Sequence, residues 1–256
     1  MTIMGRTPNN NMTDGELQEL LRKLKLNFFA DNLPEYVANA AKNQISCFNF
    51  LASLTEGELA VREDRCVVRR LSAAKIPVLY SMENFDWTFP TSINRSQIEQ
   101  LMRLEFMESK GNVIIIGPVG VGKTRIGTCL LRKACEKGKS ALFVQAVDIV
   151  NDLLAAKMHH NFGARLKKYT SPEILTIDEL GYLPLDKEGA EALFQVFSKR
   201  YAQKSTIVTT NIKCKEWGRI FDNSNMMAAA ILDRLLENGE KCVIDGPSYR
   251  GRNVDI

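Results

Sequence analysis

Val113-Ile114-Ile115-Ile116-Gly117-Pro118-Val119-Gly120-Val121-Gly122-Lys123-Thr124 is an apolar run that closes on a glycine-rich turn and a lysine–threonine pair. Val113 to Ile116 reads as a short buried strand. Gly117, Pro118, Val119, Gly120, Val121, Gly122, Lys123 and Thr124 have the spacing G-x-x-x-x-G-K-[ST] of a phosphate-binding loop. The chemistry needs these residue types. Glycines let the backbone turn with its N–H groups pointing inward at a helix N-terminus. Lys123 then reaches the outer phosphates, and the Thr124 hydroxyl ligates Mg²⁺. The bland alternative is a glycine-rich turn without a ligand. Against it, the loop has a strand before it and a helix, Thr124 to Glu136, after it.

Downstream the pattern continues as alternating short strands and helices. The apolar runs Ala141 to Val144, Ile174 to Ile177, Thr206 to Thr209 and Cys242 to Ile244 read as further strands. Between them, Ala146 to Tyr169 reads as helix broken at Gly163, Glu188 to Tyr201 as helix, and Met226 to Glu237 as helix. Apolar strands separated by helices imply a five-stranded parallel sheet covered on both faces, an α/β fold. Upstream the chain reads as helical. Thr13 to Glu16 is a capping box, and Leu17, Leu20, Leu21, Leu24 and Phe28 follow on one helical face. Pro34 marks a break or a new helix start. Thr55 to Glu58 and Ser96 to Glu99 are two further capping boxes, the second opening a helix to about Ser109. Pro77 closes the preceding helix. The implied organisation is a disordered lead-in (1–12), a small all-α N-terminal domain (13–76), an extended linker (77–95) rich in aromatics, and the α/β domain (96–256).

Ile174-Leu175-Thr176-Ile177-Asp178-Glu179 ends an apolar strand on two acids. Asp178 suits Mg²⁺ binding, direct or through water, and Glu179 suits a general base that orients an attacking water. Two exposed acids that merely end a strand are the bland alternative. A full strand and helix separate this motif from the phosphate loop, which resembles the additional-strand branch of P-loop ATPases. Thr209-Thr210-Asn211 ends the fourth strand, where a polar side chain would face the γ-phosphate side and could hold the lytic water; Asn211 there resembles the sensor-1 asparagine of AAA+ ATPases.

Several motifs together resemble the IstB-like ATPases, helper proteins of bacterial insertion sequences. These are Ile177-Asp178-Glu179-Leu180-Gly181-Tyr182-Leu183-Pro184-Leu185, Thr209-Thr210-Asn211, Glu216-Trp217-Gly218, Ala228-Ala229-Ala230-Ile231-Leu232-Asp233-Arg234-Leu235 and Ser248-Tyr249-Arg250. The resemblance runs over roughly residues 14 to 252 and implies an AAA+ P-loop NTPase core. It further implies ATP and Mg²⁺ as ligands, a homo-oligomer (ring or helical filament) on duplex DNA, and a partner transposase. By the same resemblance Arg234 is an arginine finger that reaches the ATP of a neighbouring subunit, with Arg200 as the runner-up. Arg250 is then a sensor-2-like arginine acting in cis. For Arg234 the bland alternative is a helix-surface arginine paired with Asp233 or Glu237. The DnaC-like replicative helicase loaders share the fold and most nucleotide motifs, and a loader is the nearest alternative function.

Two basic stretches are candidates for largely sequence-independent contact with DNA phosphates. Arg62, Arg65, Arg69, Arg70 and Lys75 form one, interrupted by Glu63 and Asp64. Lys157, Arg165, Lys167 and Lys168 form the other, and either could be a solvated helix face. The aromatics Tyr80, Phe85, Trp87 and Phe89 read as linker packing, and His159 and His160 as surface residues. A formal net charge of +4 is too mild to argue for nucleic acid by itself. Six cysteines without a CxxC pair do not suit a zinc site. They fit a reducing cytosol, and with no long apolar run or signal core they place the chain in the cytoplasm. Glu179 beside Asp178, Asn211, and the lack of an Arg-rich lid argue against a small-molecule kinase. Intact Lys123, Thr124 and Glu179 argue against a binding module that does not hydrolyse.

Overall fold

The structure, a computed structural model, describes residues 12–89 and 92–249. The lead-in before Met12 and Arg250 lie outside the described residues. The chain divides into two compact units after Val68.

The first unit holds α1 (Asp14–Lys23), α2 (Asn27–Asn43) and most of α3 (Cys47–Ala73). The Thr13 box forms. Glu16 N donates to Thr13 Oγ1 at 3.3 Å, and Thr13 N to Glu16 Oε2 at 2.8 Å. Other expectations are corrected here. α1 stops at Lys23, so Phe28 lies on α2 and not on the face of Leu17. Pro34 sits inside α2, which continues through the hydrogen bond that proline forfeits. α3 starts at Cys47, so Thr55 to Glu58 is helix interior and not a helix start. Glu58, 4% exposed, instead accepts from Phe28 N at 2.9 Å and from Arg62 Nε at 2.7 Å. It thus satisfies a free N–H in the first turn of α2, a tertiary cap that local spacing cannot reveal.

The second unit is built on five parallel strands, β1 (Asn112–Ile116), β2 (Ala141–Gln145), β3 (Ile174–Leu180), β4 (Ser205–Thr210) and β5 (Gly239–Val243). Their order is β2-β3-β4-β1-β5. Side chains alternate between two cores. Ile114, Ile116, Leu175, Ile177 and Val208 pack under α6 (Ala146–Met158), α7 (Phe162–Thr170), α8 (Lys187–Arg200) and α9 (Asn225–Leu236). Val113, Ile115, Ile174 and Ile207 pack under α4 (Arg95–Leu101) and α5 (Lys123–Glu136). This is the doubly covered sheet that near-continuous apolar strands demand. No described helix is long and apolar enough to cross a membrane.

Local boundaries differ from the sequence reading for identifiable reasons. α4 is capped by Asn94, whose Oδ1 accepts from Gln97 N at 3.0 Å, and it ends at Leu101 instead of reaching Ser109. The break between α6 and α7 falls before Gly163, at His159 to Asn161. His160 adopts φ 52° there, and Asn161 N closes onto Ala156 O at 2.8 Å, a left-handed helix end.

Arg200 is fully enclosed and cannot serve as a finger, which removes the runner-up. It donates to Thr206 Oγ1, Tyr169 O, Pro172 O and Ser205 O at 3.0, 2.9, 2.9 and 2.5 Å. Burial lowers its pKa to about 9, which leaves it cationic at neutral pH. Arg200→Ala strands these acceptors at a cost of about 1–3 kcal/mol each. A loss of at least about 3 kcal/mol in urea unfolding is expected; an unchanged midpoint would show the network to be dispensable.

Candidate nucleotide site

β1 delivers the chain into the glycine-rich turn at the carboxyl end of the sheet, where open α/β sheets bind ligands. Gly117 N is tied to Thr210 O at 3.2 Å, which anchors the turn to β4. Gly120 and Gly122 take φ +83° and +97°, a region that side chains rarely adopt. A Cβ on Gly120 would also stand 2.0 Å from Ser248 Oγ. Gly122 caps α5, so the loop wraps the free N–H groups of that helix. Lys123 Nζ donates to Pro118 O at 2.7 Å. Val119 and Val121 complete the wall, and Tyr249 N donates to Gly120 O at 3.1 Å.

Asp178 is buried at the end of β3. Thr124 Oγ1 lies 3.1 Å from both of its carboxylate oxygens, and Thr209 Oγ1 donates to Oδ1 at 2.5 Å. Burial raises the Asp178 pKa, and the two hydroxyls and the Lys123 charge pull it back. A hydroxyl and a carboxylate side by side, beside a loop shaped for phosphates, form a hard oxygen set of the kind Mg²⁺ uses. The residues therefore fit a nucleoside triphosphate with its divalent ion. Thr209 holds two parts of the site at once, because its hydroxyl also accepts from Glu179 N at 3.0 Å.

Glu179 sits on a β-bulge. Ile177 pairs with Val208 and Leu180 with Thr210, so Asp178 and Glu179 together face Thr209 alone. Glu179 takes φ 56° and is exposed, while Asp178 and Leu180 on either side are buried. The bulge turns its side chain into the cavity that also holds Lys123, Thr124 and Asn211. Asn211 follows β4, which lies between β1 and β3, and this places it between the phosphate loop and Glu179.

The cavity measures about 300 Å³, and part of its wall is aromatic: Tyr80, Phe85, Phe89 and Tyr249. Phe89 and Tyr249 meet edge to face at 4.8 Å. Arg125 stacks over Tyr80 and Phe85 at 5.3 and 5.5 Å and donates to Ser81 O at 2.8 Å. The linker packing expected of the upstream aromatics holds for Phe85 and Trp87, which join the core with α4 and α5. That Tyr80, Phe85 and Phe89 also line the cavity is an addition to that reading, as is the part played by Tyr249.

The remaining sequence candidates lie elsewhere. Arg234 does not line the cavity. Its Nη1 donates to Ala230 O at 2.6 Å, and its guanidinium lies 5.3 and 5.9 Å from the Phe194 and Tyr201 rings. Its carbonyl accepts from Asn112 Nδ2 at 3.4 Å, which puts it at the amino end of β1. Lys157 is paired with Glu188 at 2.9 Å, and Arg165 and Lys168 with Asp152 at 3.3 and 2.8 Å; Lys167 is exposed. Arg62 and Arg65 belong to the first unit, Arg69 and Arg70 to the second. Arg62 also donates to Lys25 O at 2.8 Å and Arg70 to Cys135 O at 2.8 Å, while Arg65 and Arg69 are exposed.

Comparison with known proteins gives a consistent picture. A family model described as IstB-like ATP binding protein matches residues 19–255. The "Insertion sequence IS232 putative ATP-binding protein" of Bacillus thuringiensis subsp. berliner is 37% identical over 235 residues, 92% of this chain and 94% of that protein. The "Insertion sequence IS21 putative ATP-binding protein" of Pseudomonas aeruginosa is 34% identical over 235 residues, 92% of this chain and 88% of that protein. Among solved structures, the DnaC helicase loader superposes with a TM-score of 0.50 at 21% identity, over 60% of this chain and 92% of that one. That last likeness is one of fold alone, the α/β core.

Proposed function

The chain belongs to the family of IstB-like ATP binding proteins, and from that premise we propose that it is an ATP-hydrolysing assembly factor for transposition. In this reading it works in the cytoplasm, oligomerises on duplex DNA and delivers that DNA to a partner transposase. The observation that carries the reading is the convergence of Lys123, Thr124, Glu179 and Asn211 from neighbouring strand ends on one cavity, with Asp178 buried 3.1 Å behind the Thr124 hydroxyl. A site built only to hold nucleotide does not need a bulge that turns a carboxylate toward the open end of the sheet.

Each residue has a definable task in converting ATP to ADP and phosphate. The loop N–H groups and Lys123 hold the phosphates. Thr124 and Asp178 would hold Mg²⁺, which would neutralise charge on the outer phosphates. Glu179 accepts a proton from the attacking water, and Asn211 holds that water in line. The aromatic wall from Tyr80 to Phe89, with Tyr249, receives the base by stacking. The helical residues 13–76 and the core together contact DNA and partner.

Electron microscopy of the protein with duplex DNA, with and without ATP, tests the reading. Ordered rings or filaments are expected only when both ligands are present. Assembly on single strands in preference to duplex would point instead to a helicase loader, and assembly indifferent to ATP would remove the coupling.

A further inference from the structure

Four cations of the basic stretches, Arg62, Lys157, Arg165 and Lys168, meet carboxylates of the chain itself, Glu58, Glu188 and Asp152. Lys213, Lys215 and Lys241 differ from those four and, unlike the exposed Arg65 and Lys167, share one cleft. All three are exposed, and none of their ammonium groups meets a carboxylate among the described residues. They line one cleft of about 800 Å³. Lys213 and Lys215 bracket the start of the 3-10 turn Cys214–Arg219, just after Asn211, while Lys241 projects from β5, an edge strand beside β1. Chain topology therefore gathers three lysines that the sequence scatters. Asp245 also lines the cleft and accepts from Gly246 N at 2.9 Å, so the lining keeps an excess of positive charge.

We propose that this cleft seats the phosphodiester backbone of nucleic acid and couples that contact to the nucleotide cavity. The proposal rests on the DNA-binding reading above and names a surface for it. Lysines act as point charges toward phosphate and read no sequence, which suits a factor without an evident base-reading set. The coupling has a physical route. Val119 of the phosphate loop and Asn211 line both the cleft and the nucleotide cavity. A phosphate held by Lys213 bears on Asn211 two residues earlier, and nucleotide that orders the loop shapes the cleft. Such coupling is reciprocal: DNA must change ATP affinity by the factor by which ATP changes DNA affinity.

The test is a salt titration of duplex binding with a non-hydrolysable ATP analogue. It compares the wild type, the Lys213→Ala/Lys215→Ala/Lys241→Ala variant and the corresponding triple arginine variant. The slope of log affinity against log salt is expected to fall by about 0.9 per lost contact, about 2.7 for three, in the alanine variant only. Nucleotide affinity without DNA stays at the wild-type level, while its change on adding DNA shrinks. A wild type that binds duplex and an alanine variant with the same slope overturn this surface and leave the DNA reading standing. A wild type that binds no DNA at any salt overturns both. Loss of self-association in the alanine variant, measured without DNA, would assign the cleft to a contact between copies and also overturn the proposal.

Discussion

Glu179→Gln is expected to retain ATP affinity and to lose phosphate release by about 10²–10⁴-fold, the usual contribution of a positioned general base. The amide keeps the size and hydrogen-bonding reach of the carboxylate but accepts a proton poorly. The backbone that places residue 179 is independent of its side chain: the bulge is held by Glu179 N on Thr209 Oγ1 at 3.0 Å and by the flanking pairs to Val208 and Thr210. The substitution therefore removes chemistry without moving the site. Lys123→Ala is the contrast, because it removes the cation proposed to meet the outer phosphates and should lose binding itself. Nucleotide affinity and phosphate release measured on both variants separate the roles. Normal turnover in Glu179→Gln would withdraw the general-base assignment.

Legibility in the sequence followed how local each determinant is. The phosphate loop, the five strands and the Asp178–Glu179 pair depend on contiguous residues, and they were readable with boundaries off by a few positions. The Thr55 to Glu58 spacing was read as a helix start because a capping box is a local pattern; the partner Glu58 uses is Phe28 N, which no local pattern contains. The bulge at Glu179 was invisible for a similar reason. In a regular strand successive side chains point to opposite faces, so two adjacent acids cannot be assigned roles until the pairing with β4 is known. The aromatic wall is contributed by residues before β1 and after β5, far apart in sequence, and Lys213, Lys215 and Lys241 come together only through the strand order. Conversely, the basic run ending at Lys168 looked like a nucleic-acid face because its partners Asp152 and Glu188 lie on other helices.

Arg234→Ala is expected to bind ATP at wild-type affinity and to hydrolyse it far more slowly, by about 10³–10⁵-fold if GTPase fingers are a guide. Within one subunit the residue cannot reach its own phosphates. It lies near Asn112 at the amino end of β1, and the loop follows Ile116 at the other end, about 16 Å away at roughly 3.3 Å per residue. Nor does it form the ion pair to Asp233 or Glu237 that a merely structural surface arginine would favour. It is half-buried and rests on Ala230 O and over Phe194 and Tyr201; ring contacts of this kind contribute about 0.5–2 kcal/mol, which a finger could give up on meeting a neighbour. Loss of those contacts alone leaves the fold intact, so the variant should unfold close to the wild-type midpoint while its turnover falls. Mixing supplies the decisive arm. A Lys123→Ala subunit has a defective loop and a sound arginine, and an Arg234→Ala subunit has the reverse. Each mixed interface that joins a sound loop to a sound arginine restores a complete site, and activity should rise with the fraction of such interfaces. Absence of rescue at every ratio, in oligomers shown to be mixed, would place Arg234 outside the neighbouring site, and a variant that loses stability in step with turnover would make it structural.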